Sequence, residues 1–290
     1  MTTRLVLQHQ TRYRYDRPVR LGPHDVRLRP APMSRTPVLA YGLSIRPTDH
    51  VLRWTHDAAG NHVARVWFND PTAFLHVDVE LTADLAPYNP FDFLVDPYAE
   101  RYPFAYPASV ARELAPFTPP MENGTLLVRL ADEIRRDARA DACSTVEVML
   151  RANRRLHRDI AYTHRLEHGV QSCEDTLNQR QGSCRDVAWL LAQVLRHIGL
   201  AARFVSGYLV QLANTSPDSP RTDQADLHAW CETYLPGAGW VGLDATSGLL
   251  TAEGHIPTAR SHSFDLAAAI SGSVEPCKAE FDVAMSVRRL

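Results

Sequence analysis

Gly182-Ser-Cys-Arg-Asp-Val-Ala-Trp-Leu-Leu-Ala-Gln-Val-Leu-Arg-His-Ile-Gly-Leu-Ala-Ala-Arg-Phe-Val-Ser-Gly-Tyr208 is the stretch on which the fold turns. Val187, Leu190, Leu191, Val194, Leu195 and Ile198 recur at helical spacing, which predicts a helix from near Cys184. Gly199 is a natural stop for it. Ala202 to Val210 then reads as a strand. His228 to Leu235 and Trp240 to Leu243 follow as two more, joined by the turn Pro236-Gly-Ala-Gly239, and a last strand is expected from Phe281 to Val287. Helices followed by antiparallel strands make an α+β unit, not a doubly wound parallel sheet.

Upstream, Leu126, Leu127, Leu130 and Ile134 form a helical stripe. Ser144-x-x-Glu147 fits a capping box opening a second helix through about His157, and Ser172-x-x-Asp175 fits a cap for a short third one. Residues 86–120 are Pro-rich and aromatic, so they read as a linker whose rings pack on something. Residues 1–85 change period: Leu5, Leu7, His9, Thr11, Tyr13 and Tyr15 alternate with Gln8, Gln10, Arg12 and Arg14. Short strands broken by turns such as Asp57-Ala-Ala-Gly-Asn61 predict an antiparallel β-sandwich. The expected division is 1–85 for the sandwich, 86–120 for the packed linker and 121–290 for the catalytic unit.

Length and composition agree with two domains. The chain has 290 residues, 45% hydrophobic and 22% charged, enough to bury a sizeable core. Lys and Arg total 31 against 33 Asp and Glu, a net charge of −2. That balance argues against a nonspecific nucleic-acid binder or a polybasic membrane anchor. No run approaches the roughly 18 apolar residues needed to span a bilayer. The first ten residues read as a strand rather than a signal peptide, so a cytoplasmic location is expected. Five sparse cysteines, Cys143, Cys173, Cys184, Cys231 and Cys277, point to reduced thiols rather than a disulfide framework.

Cys184 falls at a loop-to-helix transition, where unpaired N–H groups and the positive helix end favour a thiolate. A base is needed, and His228 in Asp226-Leu-His-Ala-Trp230 is the candidate. Asp244 would be the third group. If the strands around the Pro236–Gly239 turn pair, His228 and Asp244 meet near one open end, where the carboxylate holds the imidazole. Taken singly, Cys184 fits a buried structural thiol, His228 a satisfied strand histidine and Asp244 a turn residue. Arg185 and Asp186 fit either tuning of the nucleophile or a helix-surface ion pair. Trp189, Tyr208 and Trp230 are the candidate substrate-binding walls, with core packing the simpler account of the tryptophans. Cys184, His228 and Asp244 are allowable zinc ligand types, but the reading takes no metal and no cofactor.

The ordered blocks Gly182–Ala188, Leu195–Tyr208, Asp226–Trp230 and Gly239–Thr246 resemble the bacterial transglutaminase-like superfamily. His9-x-Thr-x-Tyr-x-Tyr15, Leu28-Arg-Pro30 and Asp57-x-x-Gly-Asn61 resemble the β-rich N-terminal region of those proteins. The resemblance implies a papain-like core with Cys184 as nucleophile, His228 as base and Asp244 as orienter. It implies attack on an amide of a peptide, protein or other amide-containing substrate, a thioester, and transfer of the acyl group to water or an amine. Hydrolysis is the favoured outcome, because water is always present and no amine site is readable. The other reading is a catalytically idle fold of the same family serving as a peptide-binding or scaffold protein. The chain departs from the pattern at Asp244-Ala-Thr-Ser247, where the family often has Asp-Pro-Thr-Asn. It departs again after His255-Ile256, at Ala259–Asp265. The polar, Pro-broken loop Leu212–Gln224 is expected to form a rim of the cleft.

Overall fold

The computed structural model of the protein describes all residues except 1, 33, 166, 168, 214–219 and 221. In chain order the strands are β1 (Thr3–Val19), β2 (Leu21–Val26), β3 (Val38–Arg46), β4 (His50–His56), β5 (His62–Phe68) and β6 (Thr72–Leu85). The helical half holds α1 (Ala108–Glu113), α2 (Thr125–Ala140), α3 (Thr145–Asp159), β7 (Ala161–Tyr162), α4 (Cys173–Gln179), β8 (Gln181–Gly182) and α5 (Cys184–His197). Then come β9 (Ala202–Gln211), β10 (Gln224–Leu235), β11 (Gly239–Asp244), β12 (Leu249–Leu250), β13 (His255–Ser261), β14 (Ile270–Val274) and β15 (Ala279–Arg289). No helix among the described residues is long and apolar enough to cross a membrane.

The N-terminal strands form two four-stranded sheets, ordered β15-β1-β6-β3 and β14-β2-β5-β4. Alternation does the work: Leu5, Leu7, Leu75, Val77, Val79 and Leu81 point inward and meet Val26, Ala64 and Val66 from the other sheet. The α+β expectation and the N-terminal sandwich hold, but the expected catalytic span of 121–290 differs at its end. β15 pairs with β1 from Leu5↔Arg289 to Tyr15↔Ala279, and β14 pairs with β2. Residues 270–290 therefore complete the sandwich, covering strand edges that β1 and β2 would otherwise leave open.

The second half is a five-stranded sheet, β12-β11-β10-β9-β13, with α5 packed along one face. Caps fall where serines sit. The Ser144 hydroxyl accepts from the Glu147 N–H at 3.2 Å and the Ser172 hydroxyl from the Asp175 N–H at 3.0 Å. The Pro-rich segment is a strap, not a tether. Tyr102 donates to the Ile198 carbonyl and Tyr106 to the Tyr234 carbonyl, each at 2.8 Å, and Phe117 meets Trp240 edge-on.

The two halves share a core, since Tyr208, Val210, Ala225 and Ile256 pack with the sandwich residues. Within it His9 is fully buried, with Nδ1 3.1 Å from the Tyr208 hydroxyl and Nε2 2.8 Å from Thr11 Oγ1. Burial pushes this histidine down to about 4, helped by the Arg12 charge and opposed by Asp78. A histidine held neutral stabilises the fold above its unfolded value of 6.5, and that contribution fades as pH falls towards about 4. The expected loss across this window is roughly 3 kcal/mol. Denaturant unfolding at stepped pH measures it. His9→Gln, which keeps polar partners but does not titrate, should flatten the slope; an unchanged slope refutes the assignment to His9.

Candidate active site

Cys184 is the first residue of α5 and is half-buried. Its helix start is held from the side. Asp186, buried, accepts from the Ser183 N–H and hydroxyl at 2.8 and 2.7 Å. The Arg165 guanidinium grips the same carboxylate with both arms, at 3.0 and 2.9 Å, and the Gln171 N–H adds a bond at 2.8 Å. Desolvation would raise the Asp186 carboxyl, but these donors hold it below the usual range. Arg185 donates instead to the carbonyls of Arg165 and Glu167. So neither residue tunes the thiol as part of an Arg185–Asp186 pair; both fasten the segment before α4 to the helix that carries Cys184. Gly182 has an ordinary φ, and a Cβ there would meet Asp186 Cβ at 3.0 Å, so close packing explains it.

β10 and β11 pair from Cys231↔Leu243 to Leu235↔Gly239, which leaves His228 and Asp244 at the open end of the hairpin. His228 Nε2 lies 3.0 Å from Asp244 Oδ2. The ring also interacts electrostatically with Cys184, and with Nε2 taken by Asp244 its free nitrogen is Nδ1. Desolvation is the largest influence on His228 and lowers its pKa. The bonds and charges of Asp244 and Cys184 outweigh that, so the imidazolium is favoured. Asp244 is desolvated too, yet His228 and His255 hold its carboxyl well below the usual range. Its other oxygen accepts from the Thr246 N–H at 2.9 Å and the Thr246 hydroxyl at 2.7 Å.

His255 was visible in the sequence without a role. It is the first residue of β13, and its Nε2 lies 3.2 Å from Asp244 Oδ2. Nothing local marks it, because β13 reaches the site only by pairing with β9. Tyr162 is a second residue the sequence did not single out. It pairs with Gly182, is 58% exposed, and lies within electrostatic reach of Cys184, Asp226 and Asp244. It is an exposed ring beside the site.

The expected substrate walls need correction. Trp189 is 1% exposed, donates to Glu122 at 2.6 Å and meets Phe264 edge-on in the core beneath α5. Tyr208 is fully buried and faces His9 and the sandwich. Trp230 is also buried, but it supports the site: its ring stacks at 28° on His228 and stands at 85° to His255. The tryptophan fits because Gly207 lies beneath it. A Cβ at Gly207 would come within 2.6 Å of the indole and 2.3 Å of the Ile256 carbonyl. Gly207→Ala should therefore cost about 1–3 kcal/mol of stability and displace Trp230 from the histidines. Thermal unfolding and tryptophan fluorescence read both effects; an alanine variant as stable as the parent would count against this packing.

A cavity of about 430 Å³ lies beyond His255, lined by Trp230, Glu232, Arg203, Trp240 and Tyr88 as well. Cys184 is not on its wall. The centre of the Leu212–Gln224 loop lies outside the described residues. Its base is pinned where Arg289 donates to Asp223 and to the Ala213 carbonyl.

His228, Asp244 and His255 offer ligand atoms within 4.8 Å of one another, a set chemically suited to zinc. The proton positions oppose that use. The Ala252 N–H donates to His255 Nδ1 at 3.2 Å, which puts the ring proton on Nε2, aimed at Asp244. A metal would need Nε2 bare and would turn an Nδ1 proton against the Ala252 N–H.

Comparison with known proteins follows the same division. Residues 5–84 match the bacterial transglutaminase-like N-terminal region, and residues 128–245 match the transglutaminase-like superfamily. A Mycobacterium tuberculosis protein described as uncharacterized is 26% identical over 275 residues, covering 91% of this chain and 85% of its own. A protein-glutamine gamma-glutamyltransferase of Pseudomonas aeruginosa is 35% identical over 129 residues, which is 44% of this chain but 19% of that protein. The crystal structure of a candidate cysteine protease from Cytophaga hutchinsonii superposes with a TM-score of 0.70 at 17% identity, covering 100% of this chain and 91% of that one.

Proposed function

Because the chain belongs to the transglutaminase-like superfamily, we propose that it performs cysteine-dependent acyl transfer on an amide bond, with Cys184, His228 and Asp244 as its catalytic residues. The observation that carries the reading is the His228 imidazole held 3.0 Å from Asp244 and coupled electrostatically to Cys184 at the start of α5. The Cys184 sulfur attacks the amide carbonyl, forming the S–C bond of a tetrahedral intermediate. The Cys184 N–H, at the helix start, is placed to donate to the oxyanion. Collapse breaks the C–N bond, and His228 gives its proton to the leaving nitrogen. Water then attacks the thioester while His228 takes a proton back, releasing the acid and the thiol. An amine entering in place of water would give transamidation. Asp244 keeps the imidazole oriented and stabilises its charged form.

Hydrolysis is the favoured outcome, and the substrate class is a peptide, protein or other amide. The five unpaired cysteines support a reducing compartment, and the cytoplasm is the proposed one. Wild type and Cys184→Ala are incubated with a peptide library, with and without added amine, and masses are read. Mass changes of amide hydrolysis or amine incorporation in wild type alone support the reading. Identical spectra for both proteins would favour a catalytically idle binding fold.

A further inference from the structure

Asp244 has two histidines on one oxygen, and the reaction as derived uses only His228. The second one, His255, is fixed at both ends. Its Nδ1 accepts from the Ala252 N–H at 3.2 Å and its Nε2 faces Asp244 Oδ2 at 3.2 Å. An acceptor at Nδ1 leaves the proton of a neutral ring on Nε2, so His255 is a donor to the carboxylate. Asp244 is filled by donors, with Thr246 on Oδ1 and the two histidines on Oδ2. His228 Nε2 must therefore also carry a proton, which leaves Nδ1 as the ring nitrogen free for the proposed exchange with Cys184.

The strand carrying His255 is itself held by the sandwich. Thr36 donates to the Glu253 carbonyl and the Ala31 N–H to the Pro257 carbonyl, both at 2.7 Å. Asn61, buried at the turn Asp57–Asn61, pairs with the Arg260 backbone like a strand neighbour. Its amide donates to the Arg260 carbonyl at 2.8 Å and its oxygen accepts the Arg260 N–H at 2.9 Å. Ile256, next to His255, lies in the sandwich core.

We propose that His255 is a positioning residue for the proposed catalytic site, donating to Asp244 so that its carboxylate meets His228 in one orientation, and that the N-terminal sandwich holds it in place. This rests on the reading of Cys184 and His228 given above. Two substitutions separate a donor from a packing ring. His255→Gln keeps an N–H for Asp244 and an acceptor for Ala252 but loses the ring. His255→Phe keeps the ring against Trp230 but loses both polar groups.

The readout is the rate at which iodoacetamide modifies Cys184 near neutral pH, with thermal unfolding recorded for each variant. His255→Phe should slow modification by about tenfold and His255→Gln by no more than about threefold. The opposite order, or no change in either, overturns the proposal, as does an equal loss in both. If the Phe variant does not fold, the Gln variant decides: retention supports the donor role and a tenfold loss refutes it. Should wild-type Cys184 itself prove unreactive, the catalytic reading fails first, and the two failures are told apart.

Discussion

Asp244→Asn should lower kcat/KM by about ten-thousandfold while leaving the fold intact. The size of the effect comes from a count of protons. Every group facing Asp244 is a donor: the Nε2–H of His228 and of His255 on one oxygen, the N–H and hydroxyl of Thr246 on the other. An asparagine has one acceptor oxygen and an NH2. If its oxygen stays with Thr246, the NH2 confronts His228 Nε2 and drives the proton to Nδ1, where the ring can no longer accept one from Cys184. If its oxygen turns to the histidines, the NH2 confronts the Thr246 N–H. Either way a buried polar group loses its partner. Steady-state kinetics beside circular dichroism checks the expectation. A folded Asn variant within tenfold of wild type would mean that the carboxylate charge is not used.

Cys184→Ala should remove turnover altogether, a loss of about a millionfold, with a melting shift of only a few degrees. The thiol is half-buried at the edge of the core, and its helix start is held by Asp186 and Arg165 rather than by the sulfur. A thioester mass seen with wild type should be absent from the variant. Turnover that survives the substitution would place the nucleophile elsewhere.

Much of this was legible in the chain. Alternation from Leu5 to Tyr15 and the helical period from Val187 to Ile198 report burial directly, because each side chain's face follows from its spacing. Cys184, His228 and Asp244 stood out through their neighbours in sequence. What escaped depends on pairings that no local pattern carries. A strand from Phe281 to Val287 was expected, but nothing near it names β1 as its partner. β13 is short and contains Pro257, so it did not read as a strand, and His255 was left without a place. The aromatic walls failed for another reason. Trp189 and Trp230 are near the nucleophile or the base in sequence and Tyr208 lies on the neighbouring strand, yet large apolar rings are pulled to whichever side is buried. For Tyr208 that side is the sandwich. Tyr162, an exposed ring, comes near the site only through its pairing with Gly182.

The most direct measurement of the central claim is limiting iodoacetamide labelling near neutral pH, followed by peptide mapping of all five cysteines. Burial pushes the thiols of Cys143, Cys173 and Cys231 up, which leaves Cys277, half-buried like Cys184, as the informative competitor. Cys277 lies in the loop between β14 and β15, packed against the sandwich core and away from any helix start. The account predicts an adduct on Cys184 at least about tenfold faster than on Cys277, and a fall towards the Cys277 rate in His228→Ala. Equal labelling of the two, or Cys277 reacting first, would contradict it.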